Sequence, residues 1–236
     1  MDKYRFKITD IIEETAGTKT YLLEKPIDFT WAEGAHTHIG IPGFDEGEKP
    51  NKDLVRHMSI TTLPGEGKVG FTTRMWPPRS EFKERLSKLH IGDEVILFKI
   101  GSRMSLRREE RRIVLVSMGV GMATMRPLIY RFLEDMTHIP EVININVNSA
   151  GDFVYRKELD KLECSGYRNF WMDSRGAFYE VLDKVSAQGE ALFYVVGSDG
   201  FIKEVLHSLK SKGVPESNIL IDKKEELLAD YFSEWG

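Results

Sequence analysis

Residues 107–112, Arg-Arg-Glu-Glu-Arg-Arg, mark a change of hydrophobic period that divides this chain in two. Before them, apolar residues alternate with polar ones in short stretches. After them, short apolar runs alternate with segments of helical period. Two periods on either side of a charged run read as two domains, which a length of 236 residues accommodates. Charge runs usually sit on solvated surface, so this one is expected to be a solvated linker.

The first part reads as strands. Tyr4, Phe6 and Ile8 alternate with charged residues, and Thr20–Glu24 follows a turn at Gly17. A turn at Glu33-Gly34 precedes alternation through Ala35, Thr37, Ile39 and Ile41, and residues 44–53 are expected to be an exposed loop. Arg56–Thr62 and Val69–Met75 flank a hairpin turn at Pro64–Gly67. Trp76-Pro77-Pro78 breaks the pattern, Ser80 is placed to cap a helix over Glu81–Leu89, and Glu94–Ile100 is a further strand. The expectation is an N-terminal antiparallel β barrel over residues 1–108.

The second part, residues 109–236, repeats strand then helix. The pairs are Ile113–Val116 with Met122–Met136, Val142–Val147 with Tyr155–Glu163, Tyr167–Met172 with Phe178–Ser186, and Leu192–Val196 with Gly200–Lys212, closed by Ile219–Ile221. This is the pattern of an α/β domain with a parallel sheet and helices on both faces. Gly119-Val120-Gly121 stands between the first strand and its helix, where a backbone can approach a phosphate and meet free N–H groups. A plain βα turn without ligand explains the same glycine pair. The third glycine of a dinucleotide fingerprint is absent, and the second strand ends Asn146-Val147-Asn148-Ser149 without an acidic residue, which disfavours the usual NAD-dehydrogenase domain.

Composition narrows the function classes. A net charge of −4 gives no reason to expect nucleic acid or an anionic membrane as partner. No apolar run approaches the roughly 18 residues of a membrane-crossing helix, and the N-terminus has no signal-peptide pattern, so a cytoplasmic protein is expected. The lone Cys164 can form neither an intrachain disulfide nor an iron–sulfur ligand set. His36 and His38 share one face of a strand, but with no nearby carboxylate or third ligand in view no metal is expected.

In order and spacing, these motifs resemble the ferredoxin–NADP reductase family over nearly the whole chain. The segment Arg56-His57-Met58-Ser59 resembles its Arg-x-Tyr-Ser strand, and Pro77-Pro78-Arg79-Ser80 stands for its Gly-x-x-Ser helix start. Gly92-Asp93 precedes the last barrel strand, Gly119 to Thr124 resembles Gly-x-Gly-x-x-Pro, and Val196-Gly197-Ser198 stands for Cys-Gly-Pro. Met58 replaces the tyrosine, Thr124 and Ser198 replace prolines, Val196 replaces the cysteine, and Pro77 replaces a glycine. A thioether can still fill space against an isoalloxazine ring.

The resemblance implies a ferredoxin reductase-like two-domain protein with FAD on the barrel and NADP (or NAD) on the α/β domain. It places Arg56, Arg79 and Ser80 on the flavin diphosphate, with His57, Met58, Thr72, Thr73 and Arg74 along the flavin. Ser59 falls near the reacting part of the flavin, the one catalytic assignment. Gly119, Val120, Gly121, Thr124, Gly197 and Ser198 fall to the nicotinamide nucleotide, and Ser174-Arg175 to a 2′-phosphate, with a lean to NADPH. Tyr231, Phe232 and Trp235 are candidates to shield the isoalloxazine, although Leu228 and Phe232 also read as one face of a packed helix.

The implied activity is flavin-dependent NAD(P)H oxidation, with electrons passing to a redox protein or a small-molecule acceptor. Two other readings stand beside it: a flavin-binding electron-transfer subunit of a larger complex, and a non-catalytic nucleotide-binding module of the same fold.

Overall fold

A computed structural model describes residues 2–233, and the chain divides into two compact units between Ser105 and Leu106. The boundary expected at 108/109 lies a little further along.

The first unit holds β1 (Lys3–Thr15), β2 (Thr18–Glu24), β3 (Ala35–Gly40), β4 (Val55–Ser59), β5 (Lys68–Arg74), α1 (Glu81–Leu86) and β6 (Glu94–Ser102). Its strands form one antiparallel sheet in the order β4-β3-β6-β1-β2-β5. The sheet curls until its edges meet: the Thr61 amide donates to the Gly70 carbonyl at 2.8 Å. Only glycine fits there, because a Cβ on Gly70 would lie 2.9 Å from Thr62 Cγ2. Inside the curl Tyr21 stacks on Phe71, and α1 presses its i, i+4 pair Phe82 and Leu86 into the core. Burial pushes the Tyr21 hydroxyl up to about 12, with nearby Arg79 opposing.

Strand β3 departs from the expected alternation, being buried on both faces. One face meets the barrel interior. On the other side Phe44, 2% exposed, lies parallel on Phe98 with ring centroids 5.3 Å apart. The segment 44–53 is therefore pinned at its start, and Gly40 leaves the room, since a Cβ there would sit 2.6 Å from Phe44 Cδ1. A single phenylalanine at the head of a charged stretch carries no periodicity.

The second unit holds β7 (Arg112–Met118), α2 (Met122–Glu134), β8 (Val142–Val147), α3 (Arg156–Leu159), β9 (Tyr167–Met172), α4 (Arg175–Ser186), β10 (Ala191–Val196), α5 (Asp199–Ser211), β11 (Ile219–Ile221) and α6 (Glu225–Phe232). The sheet is parallel, in the order β11-β10-β7-β8-β9. The chain leaves β7 toward β8 on one side and later returns to β10 on the other. The crevice at the carboxyl ends of β7 and β10 is thus the topological switch point, where open α/β sheets bind ligands.

The arginine run is not a free linker. Arg108 donates to the carbonyls of Asp135 and Thr137 at the end of α2, and Arg112 to those of Val185 and Gly189 at the end of α4. Arg107 reaches the Ser217 carbonyl and Arg111 the Asn218 side chain. Guanidinium forks suit helix C-termini, whose last carbonyls lack partners and carry partial negative charge.

In α6, Leu228, Tyr231 and Phe232 pack on the second unit's core. The Tyr231 hydroxyl donates to Asp199 at 2.7 Å, and Lys223 reaches the same carboxylate at 2.6 Å. The packed-helix face read for Leu228 and Phe232 is present, and Tyr231 joins it within the same unit. Trp235 lies outside the described residues.

Candidate functional site

In the first unit, β4, β5 and α1 bring cations together. Arg56 comes from β4, Arg74 from the end of β5 and Lys83 from α1. None of the three pairs with a carboxylate among the described residues. Burial lowers the Lys83 pKa, and the positive charges of Arg74 and Arg56 lower it further. Arg56 is held in place: its Nη1 donates to the carbonyls of Val55 at 2.7 Å and Asp53 at 3.3 Å, and its guanidinium lies over the Phe82 ring at 5.8 Å. Beside this cluster Ser80 has extended backbone at the start of α1, yet its hydroxyl caps nothing and is buried without a hydrogen-bond partner. Arg79 Nε donates to the Met75 carbonyl at 2.6 Å, and its head approaches Glu84 at 3.6 Å. Uncompensated cations beside an orphaned hydroxyl have the chemistry of a site for a multivalent oxyanion.

Ser59 and the histidines lie on one face of the β3–β4 pair, where His36 is the register partner of Ser59 and His38 that of His57. The rings of His36 and His57 are 4.5 Å apart, and those of His38 and His57 5.4 Å. His36 is 6% exposed and its Nδ1 has no hydrogen-bond partner. Burial first, then the neighbouring His57, Arg103 and His38, push its pKa down to about 4. Met58 is half-buried against the barrel core, while Thr72 is 7% exposed with its hydroxyl 2.7 Å from that of Thr20, and Thr73 is 5% exposed. Both threonines lie on a strand that is covered on both faces.

In the second unit the glycine turn lies at the switch point. Gly119 has φ +53° with open space where a Cβ would stand, so its backbone is bare and left-handed. Gly121 is needed for a different reason: a Cβ there would lie 3.0 Å from the Val196 carbonyl oxygen. The buried Asn146 of β8 donates from Nδ2 to Ser117 Oγ at 2.7 Å and to the Gly119 carbonyl at 3.3 Å, which ties the turn to the sheet. No side chain caps α2, which continues a 3-10 turn over Gly119–Gly121, and the Met122 amide donates back to the Gly119 and Val120 carbonyls. Thr124 is 3% exposed on the inner face of α2 and is not displayed beside the turn.

Ser174 and Ser198 cap α4 and α5, accepting from the Ala177 and Phe201 amides at 3.3 Å each. Arg175 forms an ion pair with Glu204 of α5. Gly197 sits where a Cβ would meet Phe201 Cδ1 at 2.4 Å. Phe201 is buried against Phe178 and cannot swing away. Gly197→Ala is therefore expected to destabilise the protein by about 1–3 kcal/mol, read as a fall in thermal midpoint. An unchanged midpoint would show that the helix start adapts freely.

The strand and turn residues were legible in the sequence. Lys83, Asn146, His36 as partner of Ser59, and Glu204 were not singled out. The His36–Ser59 pairing could have been found by registering β3 against β4. Glu204 gave no signal, being 29 residues from Arg175 on another helix.

No family model matches the chain. A ferredoxin–NADP reductase of the Cyanophora paradoxa cyanelle is 26% identical over an alignment of 163 residues that covers 61% of this chain and 44% of that protein. The chain thus matches less than half the length of that relative. A solved ferredoxin NADP+ reductase from Neisseria gonorrhoeae, with bound FAD and NADP, superposes with a TM-score of 0.80 at 14% identity, covering 94% of this chain and 98% of that one. The flavohem-like FAD/NAD-binding domain of a Vibrio cholerae nitric oxide dioxygenase superposes with a TM-score of 0.71 at 16% identity, covering 94% and 98%.

Proposed function

The chain has the ferredoxin reductase-like fold, and on that premise we propose that it is a flavin-dependent NAD(P)H oxidoreductase. The observation that carries this reading is the cationic group of Arg56, Arg74 and Lys83 beside the buried, unpartnered hydroxyl of Ser80. It suits the diphosphate of FAD, because two adjacent phosphates need several fixed donors and positive charges. Arg56 is aligned by its carbonyl bonds, Ser80 supplies an O–H donor, and Arg74 and Lys83 add charge. Ser59 offers a hydroxyl and Met58 an apolar face to the ring system.

A nicotinamide nucleotide is assigned to the switch-point crevice of the second unit. There the bare Gly119 backbone and the 3-10 turn that leads into α2 receive its diphosphate, with Gly197 and Ser198 at the end of β10 alongside. When bound, the flavin supplies the two-electron chemistry that takes hydride from reduced nicotinamide and hands electrons to an acceptor. The protein binds, orients and screens; no side chain is asked to act as general acid or base.

If the cationic cluster holds the diphosphate, FAD binds at least about 100-fold more tightly than riboflavin, which has the ring but no phosphate. Quenching of flavin fluorescence on titration into apoprotein measures both. Equal affinities would remove the cluster's assigned role.

A further inference from the structure

We infer that Glu204 turns the nucleotide site toward NADH by occupying Arg175; this rests on the nucleotide reading above. Arg175 opens α4 directly after β9, where a cation could meet a 2′-phosphate. Its guanidinium is instead paired with the Glu204 carboxylate of α5, and the Tyr179 hydroxyl donates to the same carboxylate at 3.3 Å. The neighbouring Ser174 hydroxyl already accepts from the Ala177 amide.

The ion pair is half exposed on both sides, and such a pair is individually weak. Its consequence lies in the local charge. A 2′-phosphate, close to a dianion, would meet one cation and one anion at contact distance, with little net attraction left. A ribose 2′-hydroxyl carries no charge and finds in the carboxylate a good acceptor. Dinucleotide folds discriminate by this chemistry, an acid for the 2′-hydroxyl or an arginine for the 2′-phosphate. In this chain β8 ends at Val147 and is followed by Asn148, so no acid stands at the usual place. Glu204 brings one to the arginine from α5.

The test is Glu204→Gln, which keeps the size and removes the charge at an exposed position. Binding of 5′-AMP and of 2′,5′-ADP is measured by calorimetry, and kcat/KM for NADH and NADPH by reduction of the FAD-loaded protein's acceptor, ferricyanide. The wild type is expected to favour 5′-AMP and NADH. The variant is expected to shift both ratios toward the 2′-phosphorylated ligand by about tenfold or more, and Arg175→Ala combined with Glu204→Gln to abolish that shift. A wild type that favours NADPH, or a variant whose ratios stay unchanged, would overturn the inference while leaving the oxidoreductase reading intact. Binding of neither nucleotide, with no reduction by either coenzyme, would overturn both.

Discussion

Arg56→Ala lowers the affinity for FAD by about two orders of magnitude, the largest single effect expected at the site. A hydrogen bond to a charged partner contributes about 1.5–3 kcal/mol, and a guanidinium presents two donors to an oxyanion at once. Losing about 3 kcal/mol corresponds to roughly 100-fold. The guanidinium needs no reorganisation, because the Val55 and Asp53 carbonyls already fix it over Phe82. Arg56→Lys keeps the charge without the fork and is expected to fall between the two. The same contacts stabilise the apoprotein modestly, by about 1 kcal/mol, so both variants should still fold, as thermal unfolding without ligand will report. An alanine variant that binds FAD within about threefold of wild type would place the diphosphate elsewhere.

The second large effect is on stability in mild acid. His36 is buried between His57, His38 and Arg103, and its pKa falls from 6.5 to about 4. Between these values the unfolded chain takes up a proton that the native chain refuses, so stability falls as pH drops from 6.5 toward 4 and levels off below. The full swing is up to about 3 kcal/mol. The lowered carboxylates Asp45 and Asp199, held down first by hydrogen bonds from Lys3 and Lys223, act in a separate window: their contribution is lost as pH falls below their usual 3.8. Urea unfolding across pH 4 to 7.5 is expected to show the slope in the wild type and to lose most of it in His36→Phe and His36→Gln. A slope that survives both substitutions would assign it to other groups.

How legible these features were depends on how local their causes are. Val142–Val147, Tyr167–Met172 and Ile219–Ile221 form at the expected bounds, because buried parallel strands are continuous apolar or β-forming runs ended by turns. The helix expected over Tyr155–Glu163 shrinks to Arg156–Leu159 and a 3-10 turn, with Tyr155 left-handed at its start at φ +63°. The arginine run reads as solvent in one dimension and becomes a set of helix-end contacts in three, since its partners lie across Asp135 to Asn218. At the site, Arg56 and Ser80 were visible as motif residues, whereas Lys83 joins them only through the packing of α1 on the sheet. Thr72 and Thr124 match by spacing, and their side chains are buried in the fold. Spacing along the chain reports which strand a residue is on, and says less about which side chains the fold leaves bare.

Hydride transfer from a nicotinamide to a flavin is the reaction proposed for this chain. Its most direct test is an anaerobic titration of the FAD-loaded protein with NADH and with NADPH, followed by the flavin absorbance near about 450 nm. A yellow protein is expected, one that bleaches with equimolar reduced nucleotide and regains its colour when ferricyanide is added. A yellow protein that neither coenzyme bleaches would make the chain a flavin carrier that receives electrons from a partner, and one that cannot be loaded with FAD would not be a flavoprotein at all.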